Sequence, residues 1–462
     1  MMSSGEVVKP KWWRRMVALA QVDSHIFATL LFRSWGMLAG GVTILLIPLC
    51  LSSEQQGYYF TFASILALQV FFELGMGQVI VQLVAHEAAH LKSEPGGTYF
   101  GPSANMARLA ALRHLLSRWY LAATLLFIVC VSIMGWYFFR NGELPTIRWA
   151  PPWFLLVAAT AGNLYLSWQI AVVEGFALVR DVSRLRLFQS MCGFTLMWGV
   201  MIAGGGLWVV AIVPAVAMIY SIWWLGRRPA TGILTGEAKN LNVLSWKKEI
   251  FPFQWRIAVS WISGFFIFQL FSPLVFKYHG AVEAGRVGLA ITIFNSIATV
   301  GTSWVAAKVP SIGQLLAQGR RVESSSLFRR LTIATLIFSV LSSVILITLI
   351  SILRHYDISI SRRLPETTVL VFLALATTAN SFVLPAAMFM RAHKEEPLLF
   401  MGVTMAFLTS VAVYLAAPAG ASWIIGSYAV LNVVICVPWT MRLLNGRYYK
   451  KAEKTHINII PR

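Results

Sequence analysis

At 462 residues, 58% of them hydrophobic and 12% charged, with a mean hydropathy of +0.70, the chain is too apolar for a water-soluble fold and is expected to be a polytopic membrane protein. The formal net charge of +20 raises nucleic acid as a partner, but the basic residues gather in connections on one side of the apolar stretches, which argues for none. Cys50, Cys130, Cys192 and Cys436 lie in or beside those stretches without a CxxC spacing, so they read as packing residues.

A helical span takes roughly 20 apolar residues. The hydropathy predicts an all-α fold of about twelve spans, near 28–50, 57–84, 119–139, 152–174, 186–204, 206–226, 251–275, 284–309, 331–353, 366–390, 397–417 and 420–441. Residues 1–27 place Trp12 and Trp13 among Lys9, Lys11, Arg14 and Arg15, the composition of a cytoplasmic interfacial segment. They lack the apolar core of a cleaved signal peptide. Span 1 carries Arg33 about 9 Å from its start at about 1.5 Å per residue. Gly36 and Gly40 follow in GxxxG spacing, which predicts close helix packing.

Span 2 sets Gln69 and Glu73 one turn apart on a shared face. Gly75 and Gly77 are expected to loosen the helix beside the glutamate. Glu73 lies at a depth near that of Arg33, so an ion pair between them is one reading of both. His86, Glu87 and His90 then spell HEAAH, the spacing with which a zinc protease holds its metal and its general base. With no recognisable third ligand, the motif reads as chance, with solvated side chains. Residues 103–118 space leucines and arginines helically and predict an amphipathic helix on the cytoplasmic leaflet.

Span 4 brings Asn163, Ser167 and Glu174 toward one face, with Glu174 near the cytoplasmic end. Arg180, Arg184 and Arg186 follow it. Residues 227–250, with Pro229, Gly232 and Gly236, form the halfway linker. Span 7 keeps Arg256 within its first two turns. A charge there is costly unless it snorkels, pairs or faces water, so it marks a functional site by default. Thr292, Asn295, Thr299 and Ser303 in span 8, and Thr377, Asn380 and Ser381 in span 10, suit a cavity wall, although such hydroxyls commonly bond their own backbone. Residues 442–462 form a basic tail.

Weak self-similarity points to a repeat. ATAGN ending at Asn163 matches ATTAN ending at Asn380, AATLLF at 122–127 matches IATLIF at 333–338, and EQQGYY at 54–59 echoes VEAGRV at 282–287. Arg33 precedes Gly41 as Arg256 precedes Gly264. Two six-span halves, 28–226 and 251–441, are therefore expected around a pseudo-two-fold along the membrane normal, with a cavity between them. The basic residues beside odd-numbered connections are Arg140, Arg148, Lys277, Arg286, Arg354, Arg362 and Arg363. Apart from Arg33 and Arg256, the rest of the 38 Lys and Arg lie in the tails and even-numbered connections, which predicts cytoplasmic termini. Span 8 has Gly301 near the position equivalent to Glu73, so Arg256 lacks the partner available to Arg33. Two arginines at similar depth predict a cationic cavity suited to a diphosphate.

With this span pattern, the segments FRSWGMLAGGVT, EQQGYYFTFASILALQVFFELG, EGFALVRDVSRLRLFQ and PFQWRIAVSWISGFFIFQLF resemble the bacterial polysaccharide and O-antigen flippases of the multidrug/oligosaccharidyl-lipid/polysaccharide exporter superfamily, over essentially the whole chain. The resemblance implies a V-shaped pair of six-helix bundles working by alternating access. It implies transport of an undecaprenyl-diphosphate-linked glycan across the bacterial inner membrane, with Arg33 and Arg256 on the diphosphate, without enzymatic activity or a cofactor. It further implies coupling to H+ or Na+, with Glu73 or Glu174 as the carboxylate or in charge pairing, and other polysaccharide-assembly proteins as partners. The rivals are a drug/cation antiporter of the same architecture, disfavoured by the arginines, and an intramembrane zinc protease built on HEAAH at 86–90. A polymerase or ligase would be expected to carry a large external loop, and the external connections here are short.

Overall fold

The computed structural model describes residues 24–93, 99–140, 147–227, 246–393 and 397–449, without the side chains of 24–30, 33, 93, 247–248, 253 and 449. The expectations for residues 1–23, 228–245 and 450–462 lie outside the described residues. Apart from a small antiparallel hairpin of β1 (Lys92–Ser93) and β2 (Tyr99–Phe100), the described elements are helical. Helix is what an apolar chain adopts in lipid, because each segment then satisfies its own backbone groups.

The elements are α1 (Ser24–Cys50), α2 (Ser53–Leu66), α3 (Met76–Ala88), α4 (Ser103–Phe139), α5 (Ala150–Gly175), α6 (Val179–Ile202), α7 (Val209–Gly226), α8 (Phe251–Phe268), α9 (Phe271–Ala317), α10 (Arg321–His355), α11 (Thr367–Ala392), α12 (Leu399–Ala416), α13 (Ala421–Leu431) and α14 (Val437–Leu443). Among the described residues, nine helices are long and apolar enough to cross a membrane, or ten if the bent pair Ser53–Glu73 and Met76–Ala88 is one span. One of the nine, Gln254–Ala317, holds two expected spans, and the shorter Ser34–Cys50 supplies the first. Each of the twelve expected stretches is thus found in helix.

Several boundaries differ from expectation. Residues 103–118 are not a separate leaflet helix but the first turns of α4, with Leu109, Leu112 and Leu116 buried in the main core. No proline or glycine interrupts 103–134, so nothing stops the helix. Span 7 ends at Phe268, and the next run begins at Phe271 and kinks at Gly280, where φ is 80°. At the C-terminal end the helical backbone continues through Leu444–Tyr449, with Leu444 and Tyr448 packed near Phe389. Gly36 and Gly40 do not mark a close crossing, since a Cβ on either would meet nothing within 4 Å. α1 instead meets α6 through Thr43, whose Oγ1 accepts from Trp198 Nε1 at 3.0 Å.

The N-terminal and C-terminal parts of the chain meet where α2 crosses α9. A Cβ on Gly57 would overlap the Ala281 carbonyl, and one on Gly285 would lie 2.8 Å from the Gly57 nitrogen and 3.1 Å from the Ser53 carbonyl. The contact is reciprocal, because each glycine faces the residue four before the other. Gln56 Nε2 donates to the Gly285 carbonyl at 2.8 Å and to the Arg363 carbonyl at 3.3 Å. The two helices thus pack backbone against backbone at this crossing, and the Gln56 side chain bridges it.

Candidate functional site

Below that crossing lies a cavity of about 420 Å³, lined by Tyr59, Gln69 and Glu73 of the second span, Leu156 of α5, Pro214 of α7 and, from the other half, Trp261 of α8. Glu73 ends the helical turn Val70–Glu73. The chain then passes through Leu74 (φ 51°) and Gly75 (φ 67°), and α3 departs at 40°. The expected loosening beside the glutamate is therefore a break in the helix with a 40° bend. Gly75 is needed for its backbone angle and for space, because a Cβ there would overlap the Ile257 side chain. Gln69 donates to the Glu73 carboxylate, and the fully buried Tyr120 lies within electrostatic reach of it.

Among the described residues, no arginine or lysine lines this cavity. Arg33 is carried by α1, but its side chain lies outside the described residues, and so does any contact with Glu73. Arg256 is exposed on α8, with its guanidinium carbon 5.7 Å from the centre of the Trp255 ring. No carboxylate among the described residues forms an ion pair with it. At 100° per residue, Trp261 points about 140° away from Arg256 around the helix. Ser260, Ser263 and Gly264 lie on Arg256's side and line a second cavity of about 210 Å³ with Met390 and Arg391 of α11. The two candidate charges, Glu73 and Arg256, thus serve different faces of α8. Glu174 enters neither cavity, and its Oε2 lies 2.9 Å from Arg186 Nη2.

Within HEAAH, both histidines are solvated as expected, but the glutamate is not. Glu87 is only 8% exposed, with one oxygen 3.0 Å from Arg108 Nε and the other accepting from Asn105 Nδ2 at 2.8 Å. Arg108 also pairs with Glu249, just before α8. With both oxygens engaged, Glu87 is not poised as a general base. His86 and His90 point outward with ring centroids 6.1 Å apart.

Of the seven polar residues expected as cavity walls, Thr292, Thr299 and Ser303 bond local backbone, whereas the buried Ser381 hydroxyl has no hydrogen-bond partner among the described residues. Thr292 Oγ1 donates to the Gly288 carbonyl and Thr299 Oγ1 to the Asn295 carbonyl, each at 2.8 Å. Asn163 bridges α5 to the Pro214 carbonyl of α7 at 2.7 Å, and Asn380 donates to the Tyr428 hydroxyl at 3.0 Å. Trp261, Tyr59 and Arg391 were not singled out by sequence, since an aromatic in an apolar span and a basic residue at a span's end are both commonplace.

A bundle of broken and kinked apolar helices joined by a reciprocal crossing is the architecture of a polytopic membrane protein. The solved lipid II flippase MurJ, in an inward closed conformation, has the same fold, with a TM-score of 0.63 over 91% of this chain and 87% of that chain at 13% identity. A MATE transporter in a straight conformation (TM-score 0.49, 12% identity, 93% of this chain and 96% of that chain) and a mutant of the Vibrio cholerae MATE transporter VcmN (0.49, 15%, 93% and 97%) also match. No protein-family model and no curated protein matches the chain.

Proposed function

We propose that this protein is a flippase that carries an undecaprenyl-diphosphate-linked oligosaccharide from the cytoplasmic to the periplasmic leaflet of the bacterial inner membrane. The observation that carries the proposal is Arg256, an exposed guanidinium on a membrane helix without a carboxylate among the described residues, one turn from a cavity whose wall includes Arg391. A guanidinium fork binds phosphate oxygens in pairs. With cytoplasmic termini, the α2–α9 crossing closes the periplasmic end, so the headgroup enters from the cytoplasm while the polyprenyl tail stays in lipid. Residues 28–226 and 251–441 then rock about that crossing, joined by 227–250. Of the two carboxylates considered for H+ or Na+ coupling, Glu73 is the better placed, because Glu174 is held by Arg186.

Arg256→Ala, purified folded and reconstituted, is expected to lose translocation of a labelled lipid-linked sugar, while Arg256→Lys keeps part of it because a point charge replaces the fork. Unchanged translocation in Arg256→Ala rejects the reading. One observation favours a drug/cation antiporter instead: a carboxylate beside Trp261 and Tyr59 suits an organic cation. Saturable binding of a cationic dye, abolished in Glu73→Gln, would support that alternative.

A further inference from the structure

We propose that the 420 Å³ cavity is a monosaccharide subsite that selects against acidic sugars. This rests on the flippase reading and names the part of the headgroup that the cavity takes. Trp261 lies in the interior of α8 yet keeps 37% of its surface exposed, and it lines the cavity. Tyr59 lines the same space from the first half. A pyranose ring has a C–H face that packs on aromatic rings and an edge of hydroxyls that needs planar hydrogen-bonding groups. Gln69 and Glu73, one turn apart, present a carboxamide and a carboxylate to such an edge. Leu66, Leu156 and Pro214 make the remaining wall apolar, the usual composition of a small-molecule pocket. In such surroundings an unmet hydrogen bond is penalised, and that gives selectivity.

The volume amounts to about fourteen waters at about 30 Å³ each, room for a monosaccharide. A diphosphate is a poor occupant, because no described lining residue is basic and an ionised Glu73 would repel it. The same repulsion disfavours a uronic acid. Phosphate and sugar therefore have separate docking faces on α8, one at Arg256 and the other at Trp261.

The test uses the full-length protein in proteoliposomes with two labelled probes, undecaprenyl diphosphate bearing one N-acetylglucosamine or one glucuronic acid. The wild type is expected to translocate the neutral probe at least about tenfold better, the lower end of one like-charge repulsion across a few ångströms. Glu73→Gln should slow the neutral probe yet narrow the ratio between probes by about tenfold. Trp261→Ala should slow the neutral probe about tenfold, with Trp261→Phe recovering most of the loss. An unchanged ratio in Glu73→Gln overturns the inference even if both rates fall, since a coupling carboxylate would act on both probes alike. Equal handling of the probes by the wild type overturns it too. If Trp261→Ala does not fold, the Glu73→Gln ratio and Trp261→Phe decide. Failure of the wild type to move either probe would sink the flippase reading itself.

Discussion

Arg108 holds two carboxylates that are far apart in sequence, Glu87 at the end of α3 and Glu249 at the entry to α8. Removing the guanidinium leaves Glu87 buried with only Asn105 as a strong partner. Arg108→Ala is therefore expected to destabilise the purified protein by about 1–3 kcal/mol, the penalty of an unsatisfied buried group, read as a lowered midpoint of thermal unfolding in detergent. Arg108→Lys should recover little, because one ammonium cannot bridge both acids in the same geometry. No spacing rule could have found this cluster, since its partners are brought together only by packing. Arg256 was legible because charge is rare inside an apolar span. Trp261 was not, because nothing local distinguishes a tryptophan facing a cavity from one facing lipid.

At the scale of elements, the break after Glu73 was legible from ELGMG, since glycine tolerates the left-handed backbone that stops a helix. The continuity of α4 was misread, because arginines among leucines suggest a surface helix until a neighbouring core is known. The 3-10 turn Ser359–Arg363 shows a different control. Arg362 donates to Asp357 at 2.7 and 2.8 Å and holds its carboxyl below the usual carboxylate range. A group whose pKa is lowered on folding stabilises the fold above its ordinary value, about 3.9, and that support is lost as pH falls through the lowered value. Hydrogen-exchange protection of residues 358–363 is thus expected to stay flat from about pH 8 to 5 and to fall only below about 4. Asp357→Asn should remove this dependence.

For the whole molecule, the all-helical fold and the placing of its apolar stretches in helix were legible, and the segments EQQGYY and VEAGRV hold the two glycines that face each other between α2 and α9. Their mutual contact was not legible, because similarity between segments says nothing about whether they touch. Gly57→Ala or Gly285→Ala is expected to lower unfolding stability by about 1–3 kcal/mol through overpacking against backbone. The double substitution should have less than the summed effect, since both disturb one crossing. Gly36→Ala, with open space around it, should be neutral or stabilising by up to about 1 kcal/mol.

The bend after Glu73 also packs against the turn of α8 that carries Arg256. Gly75, two residues after Glu73, is the seat of Ile257, the immediate neighbour of Arg256. Leu74 holds a left-handed backbone that a bulky side chain resists, so the bend is a loaded joint. Straightening it would pull the seat from under Ile257 and swing the turn of α8 that bears the guanidinium. An occupant of the aromatic cavity and an anion at Arg256 would then sense each other through one lever arm, with no direct contact between them.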